Sequence, residues 1–263
     1  MLEEVCNVLS ITTHKKLKIL DATYGGGGYT KKFLEYHHDV YAIDRDSSLQ
    51  PMISNFYNIK FSELEQVFNI NFFDRIVADL GVSTDQLSNL DRGFSFLSNT
   101  SLDMRMGLCK ISALNIIKKY SEKRLVEIFF KFGEEKYARK IAATIARNRA
   151  AINTASDLAE LIIPIIRDKR RIHPATKIFQ ALRIEVNQEL VELENLTKSV
   201  LQLLKVNGIF AAVTFHSLED RIVKHSFKVK EKWQNIGRKF ATQEEINLNP
   251  SARSAILRWG QKI

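Results

Sequence analysis

Four consecutive glycines, Gly25 to Gly28, follow a short apolar segment, Leu17-Lys18-Ile19-Leu20, that ends in Asp21. Directly behind them, Thr30-Lys31-Lys32-Phe33-Leu34 reads as the start of a helix. Strand, glycine turn and helix, in that order, is how α/β proteins build a ligand crevice at the carboxyl ends of their strands. Glycine supplies positive φ there and lets the backbone approach a ligand closely. The stretch Ile19 to Thr30 therefore points to an α/β fold and marks a candidate cofactor site.

The spacing narrows the cofactor. A dinucleotide fingerprint needs Gly-x-Gly-x-x-Gly so that a helix N-terminus can hold a pyrophosphate. Counting from Gly25 puts Thr30 in the third place, and counting from Gly26 puts Lys31 there, so neither register fits. No Gly-x-x-x-x-Gly-Lys-Ser/Thr occurs either. A second apolar run, Asp39-Val40-Tyr41-Ala42-Ile43, ends in Asp44, where an acidic residue can accept hydrogen bonds from ribose hydroxyls. A nucleoside without a pyrophosphate suits both observations, and S-adenosylmethionine is the expected one. The bland alternative is a tetraglycine loop beside a turn aspartate.

At 263 residues the chain can hold one large α/β domain, or one domain carrying an insertion. Its formal charge of +9 points toward a polyanionic partner. Cys6 and Cys109 are the two cysteines and form no CxxC pair, which argues against a zinc site or disulfide framework and fits a reducing cytosol. The start Met1-Leu2-Glu3-Glu4 shows no signal-peptide pattern, and the apolar runs are too short to span a bilayer. A soluble cytoplasmic protein is expected.

Along the chain, strand and helix patterns alternate to about Leu80. Ser47–Tyr57 reads as a short helix, Ser62–Phe68 as another, and Phe73–Ala78 as a buried strand ending at Asp79. Such repeated units imply a parallel sheet with right-handed crossovers. From Ile111 to Arg167 the pattern is helical throughout, with Leu125, Ile128, Phe129 and Phe132 on one face. Thr154-Ala155-Ser156-Asp157 looks like a capping box. Lys118–Ala150 carries ten Lys/Arg against four Glu, either a solvated helical face or an RNA-gripping surface. Helix resumes from Ala175 to Lys205, stopping at Asn207-Gly208, and Ile209–Phe215 is a further apolar strand. Lys228–Asn249 reads as polar and loop-rich, and Ser254–Trp259 as a closing edge strand.

Four strand ends thus offer polar groups to one edge: Asp21 with the glycines, Asp44, Asp79, and His216 to Arg221. A Ser-His-Asp hydrolase is disfavoured, because no Gly-x-Ser-x-Gly elbow occurs and adjacent His216 and Ser217 would point apart on extended backbone. A metal site from Asp79, His216 and Glu219 has no ligand-spacing motif behind it, so none is expected.

Several longer segments, in order along nearly the whole chain, carry a family resemblance. They include D-A-T-Y-G-G-G-G-Y-T (21–30), A-I-D-R-D (42–46), D-L-G-V-S-T-D-Q-L (79–87), R-G-F-S-F (92–96) and L-D-M-R-M (102–106). Further on come G-E-E-K-Y-A-R-K-I-A (133–142), H-P-A-T-K-I-F-Q-A-L-R-I-E-V-N-Q-E-L (173–190), F-H-S-L-E-D-R-I-V-K (215–224) and N-P-S-A-R-S-A-I-L-R (249–258). With these the chain resembles the bacterial RsmH/MraW family of small-subunit rRNA cytosine-N4-methyltransferases. The resemblance implies a Rossmann-like, S-adenosylmethionine-dependent methyltransferase domain, 1–106 and 174–263, interrupted by a helical substrate-recognition domain, 107–173. It implies methylation of N4 of a cytidine in the decoding region (P site) of 16S rRNA, within the small ribosomal subunit, with no DNA and no membrane partner. It places cofactor contacts on Gly27, Gly28, Tyr29, Asp44, Phe61, Asp79 and Gln86.

An exocyclic amine with a delocalised lone pair must be oriented in line with the methyl group, and needs an acceptor as it gains positive charge. Asp79 is the first candidate for that role, and His216 and Asp220 are the second. For His216–Arg221 the structural alternative is an internal salt bridge that pins a loop. The chain departs from the family pattern in having Tyr29 in place of the usual histidine, and Ser83-Thr84-Asp85-Gln86 in place of Ser-Ser-Pro-Gln. The family's His-x-Pro-Val-Leu segment does not precede Met1, and the region before Asn249 is shorter. These departures keep open a second expectation, a catalytically impaired RNA-binding or ribosome-assembly protein of the same fold.

Overall fold

The structure, a computed structural model, describes residues 1–107, 109–166, 172–229 and 231–263. It divides into two compact units, one of Met1–Gly81 with Leu190–Ile263 and one of Val82–Glu189. The inserted domain expected at 107–173 lies within the residues of the second unit, and Arg167, the end of the helical run read from Ile111, falls outside the described residues.

The first unit is built on a seven-stranded sheet. Its strands are β1 (Lys18–Asp21), β2 (Asp39–Ile43), β3 (Phe56–Tyr57), β4 (Phe73–Asp79), β5 (Leu204–Thr214), β6 (Trp233–Phe240) and β7 (Ile256–Lys262). The order is β3-β2-β1-β4-β5-β7-β6. The first five strands run parallel, and β7 enters antiparallel between β5 and β6.

Period-two alternation explains why the central strands read as unbroken apolar runs: both faces are covered. Ile76 and Ala78 of β4, with Phe210 and Ala212 of β5, share one core with Leu193, Leu196, Val200 and Leu203. Those four belong to helix α10 (Glu189–Leu203). The intervening Val77, Ala211 and Val213 share the other core with Val5 and Leu9 of α1 (Leu2–Leu9) and Phe33 of α2 (Gly28–Glu35). Phe33 is fully buried, and truncating it to alanine would cost about 3–5 kcal/mol. Three further short helices complete the unit: α3 (Leu64–Val67), α11 (Ser217–Ser226) and α12 (Gln243–Leu248).

The second unit is helical: α4 (Thr84–Ser88), α5 (Ala113–Lys119), α6 (Glu122–Lys131), α7 (Ala138–Asn148), α8 (Ala155–Ile162) and α9 (Thr176–Asn187). Its core takes Leu125, Ile128 and Phe129 from α6, Ile141 and Ile145 from α7, and Ile178 and Leu182 from α9. The capping box at Thr154 forms as the sequence implies, its hydroxyl accepting the Asp157 N–H at 3.1 Å.

Five local expectations are corrected. Ser47–Tyr57 is not helical: it runs through turns into β3, with Asp46 holding the Ser48 N–H and hydroxyl in an Asx turn at 3.1 and 2.7 Å. Helix does not continue from Ala175 to Lys205, because Gln188 adopts left-handed backbone (φ 51°) and separates α9 from α10. Asn207-Gly208 is not a helix stop but part of a bulge inside β5, where Phe73 pairs with Leu204 and Arg75 with Ile209. A Cβ on Gly208 would lie 2.8 Å from the Lys205 carbonyl, so only glycine fits that fold-back. Finally, the stretch expected to be loop-rich, Lys228–Asn249 (Lys230 lies outside the described residues), holds β6 and α12, and the edge strand is β6, not β7. Polar side chains on an edge strand keep it from pairing with other chains, which is why its sequence reads as loop.

Candidate active site

The carboxyl ends of β1, β2 and β4 meet the glycine turn; β1 and β4 end in Asp21 and Asp79, and Asp44 directly follows β2. Asp21 is completely buried. It accepts the Thr30 hydroxyl at 2.7 Å and the Thr23 N–H at 3.2 Å, so the end of β1 is tied to the first turn of α2. Burial pushes its carboxyl up to about 6, against the pull of those hydrogen bonds. Asp44, just beyond β2, accepts the Gly25 N–H on Oδ2 and the Asp46 N–H on Oδ1, both at 2.9 Å. Burial raises its carboxyl as well, with the two backbone donors opposing.

Gly25 and Gly27 take positive φ, 48° and 76°, which is what lets the chain turn back into α2. A Cβ on Gly27 would come within 2.9 Å of the Tyr24 hydroxyl, whereas one on Gly28 would meet nothing beyond its own stretch of chain within 4 Å among the described residues. The turn is therefore packed on its inner side and open at Gly28.

Asp79 ends β4. Its N–H donates to the Thr23 hydroxyl at 2.6 Å, while its carboxyl oxygen Oδ1 is buried and has no hydrogen-bond partner among the described residues. Burial, and next the charge of Asp21, push this carboxyl up to about 7; the Tyr29 hydroxyl, on the same cavity, opposes the rise. A cavity of about 260 Å³ opens beside it, lined among others by Gly28, Tyr29, Asp79, Val213, Phe215 and Asn249. Thr23, Thr30, Phe215 and Asn249 were not singled out from the sequence. The first two carried a readable signal, as hydroxyls flanking the glycines, but a lone phenylalanine and asparagine did not.

The remaining expected residues fall as follows. Phe61 opens a 3₁₀ turn, Phe61–Glu63, and packs half-buried on the sheet. The neighbouring Ser62 donates its N–H and hydroxyl to Glu192, at 3.0 and 3.1 Å. His216 caps α11, its Nδ1 accepting the Glu219 N–H at 3.4 Å. Its Nε2 sits 3.1 Å from Glu219 Oε1 without the alignment of a hydrogen bond, and is buried with no hydrogen-bond partner among the described residues. Glu219 closes the turn from the other side by accepting the Phe215 N–H at 2.8 Å. Asp220 gives both oxygens to Arg258 of β7. Gln86 belongs to the second unit, where it and Ser83 form the capping box of α4, at 3.1 and 3.2 Å.

Of the ten cations in Lys118–Ala150, Lys118 and Arg149 are structural. Lys118 donates to the Arg149 and Ala150 carbonyls and to Asn153, and Arg149 to the Lys118 and Tyr120 carbonyls. Arg124 pairs with Glu127 and Glu185. Lys119, Lys123, Arg139 and Lys140 are exposed.

The sheet order, with one antiparallel strand inserted beside β5, and the glycine turn flanked by Asp21 and Asp44 define a Rossmann-like methyltransferase. Comparison with known proteins agrees. The model of the MraW methylase family matches residues 1–263, and the chain belongs to that family. It is 42% identical over 265 residues to "Ribosomal RNA small subunit methyltransferase H" of Synechocystis sp., spanning 93% of this chain and 87% of that protein. The protein of the same name from Brachyspira hyodysenteriae is 38% identical over 289 residues, spanning 100% of this chain and 95% of the relative. Among solved structures, an rRNA methylase from Streptococcus thermophilus is similar at a TM-score of 0.45 and 11% identity, over 100% of this chain and 93% of that one.

Proposed function

We propose that the chain methylates N4 of a cytidine in the decoding region of 16S rRNA, within the small ribosomal subunit, with S-adenosylmethionine as donor. The observation that carries the reading is the buried, unpartnered Oδ1 of Asp79 beside a cavity next to the glycine turn. An unsatisfied buried acceptor is costly and fits a site that expects a donor from outside the chain.

The residues present suit the cofactor. The open backbone at Gly28 leaves room for close approach, and Asp44 is fixed by two N–H groups with lone pairs left for ribose hydroxyls. When bound, S-adenosylmethionine supplies an electrophilic methyl group on a positively charged sulfur. The protein's part is placement and charge. Asp79 Oδ1 accepts a hydrogen bond from the amine as its nitrogen becomes positive, then takes the proton it sheds. A target base must leave its stack to reach this cavity, and the Phe215 ring offers an apolar wall for it. Lys119, Lys123, Arg139 and Lys140 provide phosphate contacts that hold the RNA without reading its sequence. The basic balance of the chain, +9 overall, supports such a partner.

The test is incubation with isotope-labelled S-adenosylmethionine and small subunits from a strain lacking the modification, followed by digestion and mass spectrometry. Label in N4-methylcytidine from the decoding region, lost on Asp79→Ala, is the expected result. RNA binding without label would overturn it in favour of a binding-only protein.

A further inference from the structure

β6 is the last strand of the sheet, so one of its edges has no neighbouring strand among the described residues. Its final residue, Phe240, pairs with Ile256 of β7, and Ile256 pairs with Thr214 of β5. Thr214 directly precedes Phe215, which lines the cavity. Both β5 and β6 run antiparallel to β7, so Phe240 lies at the same end of the sheet as the site. Two strand spacings, about 10 Å, separate it from Thr214.

Side chains two apart share one face of a strand, which puts Arg238 and Phe240 together. The Arg238 guanidinium lies over the Phe240 ring, 5.5 Å from its centroid, yet Phe240 stays 55% exposed and Arg238 is exposed as well. The strand beneath them is packed tightly on its partner: a Cβ on Gly237 would come within 2.1 Å of the Trp259 ring. A single exposed apolar ring is ordinary on a protein surface. This one sits in a basic stretch, since Arg221–Phe240 holds seven Lys/Arg against one acid, Glu231. Lys224, Lys228 and Lys232 are exposed. That charge disfavours a second copy as the occupant, because two β6 edges pairing with each other would bring like charges together. An exposed ring beside a guanidinium, with cations around it, is the combination that takes single-stranded nucleic acid: a base stacks on the ring and phosphates meet the charge.

We propose that Arg238 and Phe240 form a stacking platform for an unpaired base of the RNA near the target cytidine. The proposal rests on the methyltransferase reading above for the identity of the RNA. It adds to the phosphate contacts of the helical unit a contact of another kind, to the face of a base. Stacking of this sort is indifferent to base identity, because every base has a π-face. A target that leaves its stack deprives a flanking base of its neighbour, and Phe240 supplies a replacement.

The test uses the full chain and a fluorescent single-stranded oligoribonucleotide, with affinity followed by anisotropy across a salt series. Phe240→Ala and Phe240→Leu should each weaken binding by about tenfold, whereas Phe240→Tyr, which keeps the ring, should bind as the wild type does. None should alter the salt slope, because no phosphate contact is lost, while Arg238→Gln should reduce its magnitude by about 0.7. With small subunits as substrate, Phe240→Leu should raise the KM of methyl transfer. Unchanged oligonucleotide affinity in Phe240→Leu overturns the proposal, and so does a wild-type chain that does not bind the oligonucleotide. A loss shared equally by Phe240→Tyr also overturns it. So does a dimer of the wild type, seen by light scattering, that Phe240→Leu dissociates, which would give β6 to a second copy. If the wild-type chain binds the oligonucleotide through Phe240 but methylates nothing, the function proposed above fails and the platform stands.

Discussion

Arg258 of β7 grips Asp220 of α11 in a bidentate pair, Nε to Oδ1 at 2.6 Å and an Nη nitrogen to Oδ2 at 3.0 Å. The two side chains are only 11% and 18% exposed, so removing either partner leaves a charge largely out of water. Arg258→Ala should destabilise the fold by about 2–4 kcal/mol, read by denaturant unfolding. Asp220→Asn should lose stability, with methyl transfer per folded molecule kept. A stable Asp220→Asn protein with abolished transfer would instead assign Asp220 a part in catalysis.

Asp44 links the glycine turn to the end of β2 through the Gly25 N–H at 2.9 Å. Hydrogen bonds to a charged acceptor contribute about 1.5–3 kcal/mol. Asp44→Asn should therefore weaken S-adenosylmethionine binding by about tenfold or more in calorimetry. Unchanged affinity would remove Asp44 from the cofactor site.

The pH dependence of stability follows from Asp79. Its folded-state value of about 7 lies above the ordinary 3.8, so between pH 4 and 7 the native state binds more protons than the unfolded state. This group therefore takes stability away as pH rises through that window, and takes none below it. The shift of about 3.2 units, 7 minus 3.8, bounds the effect at about 4 kcal/mol. Asp79→Asn should raise the unfolding midpoint of the cofactor-free protein at pH 8 and leave it nearly unchanged at pH 4. Equal changes at both values would contradict this.

Charge reversal separates the two kinds of cation in the helical unit. Arg139→Glu with Lys140→Glu, both exposed, should weaken RNA binding and flatten its salt dependence, with the unfolding midpoint unmoved. Lys118→Ala should instead cost about 1–3 kcal/mol of stability, because the carbonyls of Arg149 and Ala150 lose their donor. Filter binding across a salt series, with thermal unfolding alongside, distinguishes the two.

The parallel centre of the sheet was legible because β1, β2 and β4 each hold a short apolar run that meets an aspartate, and burial on both faces keeps the polar residues Lys18, Asp39, Asp74 and Arg75 to the starts of the strands. The glycine turn was legible for a related reason, since few other sequences can supply φ of 48° and 76° so close together. What stayed hidden depends on contacts distant in sequence. The commitment of Asp220 to a strand 38 residues later has no local signature. Nor does the break at Gln188, an exposed residue with good helix propensity that nonetheless takes left-handed backbone. β6 was missed because an edge strand facing water needs no apolar alternation. The ten cations of Lys118–Ala150 show the same limit, since composition counts Lys118 and Lys119 alike and only the fold tells a brace from a free charge.

The antiparallel insertion of β7 imposes an order on assembly during synthesis. β6 leaves the ribosome before β7, but its pairing partner in the sheet is β7, so it waits unpaired until the later strand arrives. β5 waits too, its outer row of N–H and C=O groups bare over Ile209–Thr214 until β7 supplies the matching row. The last two places in the sheet fill together, in one closing event that sets when a newborn chain stops being an open-edged, adhesive intermediate.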